Sequence, residues 1–127
     1  MVRPKPLRSN HARGTILRSR SLGLGLCLIV GGWSPALAEQ GIASVYGNGD
    51  GYAWKPVACG GKMDPGAMIA AHKTRPCRSF VRVTHGSRSV TVQIVDRGPF
   101  IKGRIIDLSP AAARALACPG LCRVEVR

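Results

Sequence analysis

The chain has no apolar run long enough to cross a bilayer, no internal repeat and few acidic residues, with six Asp plus Glu against nineteen Lys plus Arg. The first absence excludes a multi-span membrane protein, because a spanning helix needs about 20 apolar residues. The second excludes a repeat array. The third leaves a formal net charge of +13 on 127 residues, a basic surface drawn to anionic surroundings with a steering that salt weakens. With 45% apolar residues, the composition is also not that of a disordered charge tract. At most one globular domain remains.

The first 38 residues carry the three-part layout of a secretory signal. Six Lys/Arg and no acid precede Ser21, an apolar stretch runs from Leu22 to Trp33, and Ala36-Leu37-Ala38 offers small side chains to a signal peptidase. Cleavage is expected after Ala38. A membrane anchor is the competing reading, but about twelve apolar residues interrupted by glycine reach only ~18 Å as helix, against a hydrocarbon core of ~30 Å. Cys27 follows Leu26 where a lipidation signal wants a small residue, so Cys27 leaves with the leader. The mature chain is expected in the periplasm or outside the cell, without a stable membrane anchor.

Removing the leader leaves 89 residues with thirteen Lys/Arg against six acids, a net of +7. A domain this short buries only about two thirds of the surface its unfolded chain exposes, so its core needs reinforcement. Cys59, Cys77, Cys118 and Cys122 are available to supply it. In an oxidising compartment they read as two disulfides, each worth ~2–4 kcal/mol. Three pairings are open, and Cys59–Cys77 with Cys118–Cys122 is favoured because each pair brackets one local segment. Zinc held by four thiolates is the rival, yet spacings of 17, 40 and 3 intervening residues lack the paired short loops zinc takes. No metal or other cofactor is expected.

Period-two alternation dominates the mature chain. Val81 and Val83 flank Arg82, and Val90, Val92 and Ile94 are separated by Thr91 and Gln93, which is the pattern of strands. His85-Gly86-Ser87-Arg88 between them reads as a hairpin turn. Further short strands are expected at Gly41–Tyr46, Met68–Ala71, Arg104–Leu108 and Arg123–Val126. One helix is expected, with Ser109 as N-cap, Pro110 at the first helical position, Ala111–Ala117 behind it and Pro119-Gly120 as its stop. Gly47–Gly61, with five glycines, reads as a long surface loop carrying Tyr52 and Trp54. Six short strands without a safe open edge predict a small closed all-β barrel.

The densest polar constellation is Asp96-Arg97-Gly98-Pro99-Phe100, where the apolar strand Val90–Val95 runs out into a turn. A carboxylate there can face a groove. Ala70-Ala71-His72-Lys73-Thr74-Arg75-Pro76 repeats the design with an imidazole. Taken singly, the Asp reads as half of an ion pair with Arg97 and the His as a hydrogen-bond bridge.

Together with Gly41-Ile42-Ala43-Ser44-Val45-Tyr46-Gly47 and Arg104-Ile105-Ile106-Asp107-Leu108-Ser109, these segments resemble the successive signatures of the rare lipoprotein A (RlpA) family, over essentially the whole mature chain. The resemblance implies a six-stranded double-psi β-barrel, distantly related to expansins and family 45 glycoside hydrolases, that acts on peptidoglycan glycan strands as a lytic transglycosylase. Such cleavage needs a proton donor at the glycosidic oxygen and then a base for the muramic C6 hydroxyl. One carboxyl can play both parts. Asp96 is the candidate, His72 is expected to line the same groove, and Asp64 is a second acid nearby. Tyr46, Tyr52 and Trp54 are candidate flat faces for sugar rings, with Lys73 and Arg97 as further substrate-binding residues. The family's catalytic glutamate, in a Thr-Ala-x-Gly-Glu stretch, falls on Gly61 in Val57-Ala58-Cys59-Gly60-Gly61. Arg97 beside Asp96 favours its ionised form, the wrong direction for an acid.

The expectation is a monomeric barrel that binds glycan and cleaves it weakly, with a non-catalytic, expansin-like binding module as the alternative. The basic charge would also suit nucleic acid, but the export signal argues against that and no nucleic-acid motif is present.

Overall fold

The structure, a computed structural model, describes residues 37–127, so the leader expected at residues 1–38 lies almost wholly outside the described residues. Six strands form, β1 (Glu39–Val45), β2 (Ile69–Ala71), β3 (Phe80–His85), β4 (Arg88–Asp96), β5 (Arg104–Leu108) and β6 (Cys122–Val126), with one helix, α1 (Pro110–Ala115). They close into a barrel in the order β1-β5-β2-β4-β3-β6. β1–β5 and β2–β4 pair in parallel, and the other neighbours are antiparallel. Closure removes the free edges that short strands could not safely expose. Among the described residues no helix is long and apolar enough to cross a membrane.

The alternation builds the core directly. Val83, Val92, Ile94, Ile106, Leu108 and Val126 point inward and are fully buried, and Leu116 of the helix end plugs the barrel with Ala112 and Ala113. A second cluster, Tyr46, Val57, Met63, Ile69, Ala71 and Val95, packs separately. Along β2, Ala70 belongs to the first cluster and Ala71 to the second, as side chains on opposite faces of a strand must.

Beyond shifts of one or two residues at the ends of β1, β2 and β6, three local details differ from the sequence reading. The β3–β4 ladder continues past the apolar alternation to His85 and Arg88, leaving only Gly86-Ser87 as the turn. The Thr84 and Ser89 hydroxyls bond at 2.7 Å in this extension. The helix stops at Ala115 rather than Ala117, because Ala117 adopts a left-handed backbone (φ 54) and turns the chain toward Cys118. Ser109 caps the helix as expected, accepting from the Ala112 N–H at 3.2 Å. Finally, the second half of the 47–61 loop is ordered. Trp54 N donates to Met63 O and Met63 N to Lys55 O, at 2.7 and 2.8 Å, and a Pro56–Lys62 bridge closes a small hairpin whose anchor is the buried Met63.

Both disulfides form in the favoured pairing, Cys59–Cys77 and Cys118–Cys122. The four sulfurs are bonded to each other in these two pairs.

Candidate active site

Strand register assembles the site. β2 lies between β4 and β5, and Ala71 is the partner of Asp96 on one side and of Asp107 on the other. Asp107 in turn pairs with Ser44 of β1. One row therefore runs Ser44, Asp107, Ala71, Asp96 across four strands, on the face opposite the barrel core. A register shift between Ala70 and Ala71 brings Asp96 into it, the kind of irregularity that re-aims a side chain. With strands about 4.8 Å apart, the two aspartate Cα atoms stand roughly 10 Å from each other. Ala71 between them has a side chain too small to fill the gap.

Loops complete a cleft of about 500 Å³ over this row, lined by Tyr46, Tyr52, Pro56, the Gly98–Ile101 turn and Arg104 together with Asp96, Arg97 and Asp107. Hollows of similar size, about 460 Å³ beside α1 and about 430 Å³ near the β3–β4 turn, each hold a single carboxylate. Of these three hollows among the described residues, the cleft over Ala71 alone brings two together. Gly98 shapes its floor, with φ +125, and a Cβ there would lie 3.6 Å from Asp107 Oδ2 and 3.5 Å from the Phe100 ring. The Gly98–Pro99 peptide is cis. Phe100, 82% exposed, and Tyr52, 59% exposed, stand at the rim.

The two carboxyl groups are held differently. Asp96 Oδ1 accepts from the backbone N–H groups of Ala58 and Arg97, each at 2.9 Å. Asp107 Oδ1 accepts from the Ser44 hydroxyl, which is itself buried. Burial raises the pKa of Asp107; the Ser44 hydrogen bond and Arg104 oppose the rise, and the carboxylates of Asp96 and Asp50 add to it. The net direction is upward, so the fold favours the protonated form of Asp107.

Arg97 does not pair with Asp96 through its side chain. Its Nη1 donates to the carbonyl oxygens of His72 (3.0 Å) and Arg75 (2.7 Å), stapling the 72–75 turn to the end of β4. The guanidinium fork reaches two carbonyls that a shorter pairing with its own neighbour would leave unbonded.

His72 is not among the cleft-lining residues and is only 2% exposed. Its Nδ1 accepts from the N–H groups of Thr74 (3.1 Å) and Arg75 (3.0 Å), so the ring proton is on Nε2, which donates to Glu39 Oε2 at 3.1 Å. Glu39 also accepts from Arg75 Nε at 3.2 Å. Both ring nitrogens are thus spent on the fold, and His72 acts on the cleft through the turn it organises and through its own N–H, which donates to Asp96 O at 3.1 Å.

The other expected residues scatter. Asp64 Oδ1 accepts from the Gly66 N–H at 2.9 Å in a local turn and does not line the cleft. Lys73 and Trp54 are exposed and also lie outside the lining. Tyr46 lines it but is 9% exposed with its ring in the second cluster, leaving no free face for a sugar. Gly61 sits on an exposed turn at φ +85. Asp107 is the functional candidate the sequence reading passed over. Its signal was an acid set between two core residues, Ile106 and Leu108, in an otherwise apolar strand.

The lytic transglycolase family model matches residues 38–127. The chain belongs to the RlpA-like double-psi β-barrel family. Over 93 residues it is 55% identical to a probable endolytic peptidoglycan transglycosylase RlpA of Nostoc sp., covering 72% of this chain and 25% of that protein. Over 85 residues it is 47% identical to the endolytic peptidoglycan transglycosylase RlpA of Pasteurella multocida, covering 65% of this chain and 28% of that one. The RlpA-like chain thus spans about a quarter of the length of these curated relatives. Among solved structures, the apo expansin of Clavibacter michiganensis superposes with a TM-score of 0.56 at 25% identity, over 72% of this chain and 50% of that one. The Streptomyces papain inhibitor shares the fold with a TM-score of 0.58 at 24% identity, over 72% of this chain and 94% of that one.

Proposed function

We propose that the chain is an exported cell-envelope protein that binds peptidoglycan glycan strands across the cleft over Ala71 and cleaves them slowly, without water, to 1,6-anhydro ends. The observation that carries this reading is the pairing of two carboxyl groups in one open cleft, one of them, Asp107, shifted toward its protonated form. The names of the 55% and 47% identical relatives support the substrate.

Asp107 replaces Asp96 as proton donor in this mechanism. It gives its proton to the glycosidic oxygen as the C1–O4 bond breaks with its electron pair leaving on O4. Positive charge then builds on C1 and the ring oxygen, and the Asp96 carboxylate, fixed by two backbone donors, stabilises it electrostatically. The resulting Asp107 carboxylate takes the proton from the C6 hydroxyl, whose oxygen bonds to C1. One carboxyl thus serves as acid and then base, as general acid–base catalysis allows.

Gly61 in place of the family glutamate argues for slow turnover, and it favours a second reading in which the barrel grips glycan as an expansin-like module without cutting it. Pull-down with insoluble peptidoglycan, run beside digestion of purified sacculi, separates them. Binding with 1,6-anhydromuropeptides supports the enzyme, and binding without products supports the module. No binding would sink both.

A further inference from the structure

We infer that the hydroxyl of Tyr46 is a substrate-contacting hydrogen-bond donor, meeting an acceptor oxygen of the glycan beside the Asp96 and Asp107 carboxyl groups. This rests on the glycan-binding reading above and gives one buried atom a task that the fold does not give it.

Tyr46 follows β1 directly, and its N–H donates to Leu108 O at 3.0 Å, which pins its backbone next to Asp107. Its ring packs among Val57, Met63, Ile69, Ala71 and Val95 and meets Tyr52 edge-on, with centroids 6.3 Å apart at 61°. The next residue, Gly47, runs at φ +78, and any Cβ there would lie 2.5 Å from the Met63 thioether. The backbone at this strand end is thereby constrained.

At the end of the ring, Oη is buried with no hydrogen-bond partner, the one side-chain polar atom in that state among the described residues. Buried hydroxyls are almost always paired, and an unpaired one in a native fold calls for an explanation. Here the residue lines the cleft. Burial, and then the charges of Asp96, Asp107 and Asp50, push its pKa well above the ordinary tyrosine value. The phenol therefore keeps its proton wherever the protein works and remains a donor. Sugar hydroxyl, ether and acetamide oxygens are the acceptors that a glycan laid over Ala71 would bring. The exposed faces of Tyr52 and Phe100 serve ring stacking; Tyr46 contributes one directed bond.

Tyr46→Phe removes that bond and nothing else. Because the hydroxyl has no partner in the fold, the variant should melt at or above the temperature of the parent. Its affinity for insoluble peptidoglycan should fall roughly tenfold, the effect of about 1.4 kcal/mol of lost contact, and release of anhydromuropeptides should fall at least as far. If the parent binds without releasing products, the enzymatic reading fails, but the binding loss still upholds this assignment. Parent-like binding by Tyr46→Phe would overturn it, as would a clear drop in melting temperature, which would mean the hydroxyl serves the fold. Failure of the parent itself to bind would overturn it too.

Discussion

Asp96 and Asp107 flank Ala71 in one row of the barrel wall, each its register partner from opposite sides. The pKa of Asp107 is shifted upward, by its burial first of all. The linkage follows in sign. Between the unfolded value near 3.8 and the higher folded one, the folded state binds more protons than the unfolded state, so this group's contribution to stability declines as pH rises. Asp107→Asn relieves it. The variant should melt at or above the parent at pH 7, with the gap closing towards pH 4, and a variant that melts lower at pH 7 would contradict the assignment. Any cleavage by the parent should weaken as pH climbs through the folded pKa.

Arg97→Ala should cost about 1–3 kcal/mol, because it leaves two carbonyl oxygens of the 72–75 turn without a donor. Arg97→Lys should recover part of this, since an ammonium lacks the planar fork. Chemical denaturation reads both. If Arg97 instead acted mainly by holding Asp96, the alanine variant would shift the pH profile of activity while leaving stability unchanged.

Gly61→Glu places the family's acid on a backbone at φ +85, with its Cβ 3.6 Å from Arg78 Nη2. A side chain in that left-handed region costs roughly 1–2 kcal/mol. Lower thermal stability is expected, together with more anhydromuropeptide released per folded molecule. Equal or lower release would show that the missing glutamate does not limit this barrel.

The disulfides divide between site and scaffold. Cys59–Cys77, with a sequence separation of 18, ties the loop whose Ala58 N–H holds Asp96 to the turn stapled by Arg97. Replacing both cysteines by serine should cost about 3 kcal/mol on the loop-entropy estimate and weaken glycan binding as well. The Cys118–Cys122 pair closes a separation of 4 and does not line the cleft. Its removal should cost less, about 2 kcal/mol, with binding by the folded fraction retained. Denaturant melts and pull-downs of the two double variants check the contrast.

The barrel was largely legible because the apolar residues of β3 and of much of β4 alternate with polar ones. Val81-Arg82-Val83 and Val92-Gln93-Ile94 declare their faces, and Ser109-Pro110 declares a helix start. The site was half legible. Asp96 stood out because it ends an apolar strand before Gly98-Pro99, whereas Asp107 is hidden in a strand whose Ile106 and Leu108 face the core. Only register across β5, β2 and β4 shows that the other face of that strand is a cleft wall. His72 misled for the opposite reason. An imidazole at a strand end suggests chemistry, and nothing local reveals that Glu39, 33 positions away, occupies one of its nitrogens.

The most direct test of the account is mass spectrometry of the soluble products after purified sacculi are incubated with the mature chain and with Asp107→Asn. The parent should release 1,6-anhydromuropeptides slowly, and Asp107→Asn should release them about a hundredfold more slowly or not at all, the scale of losing a general acid. Equal release by both proteins, or products with ordinary reducing ends, would contradict it.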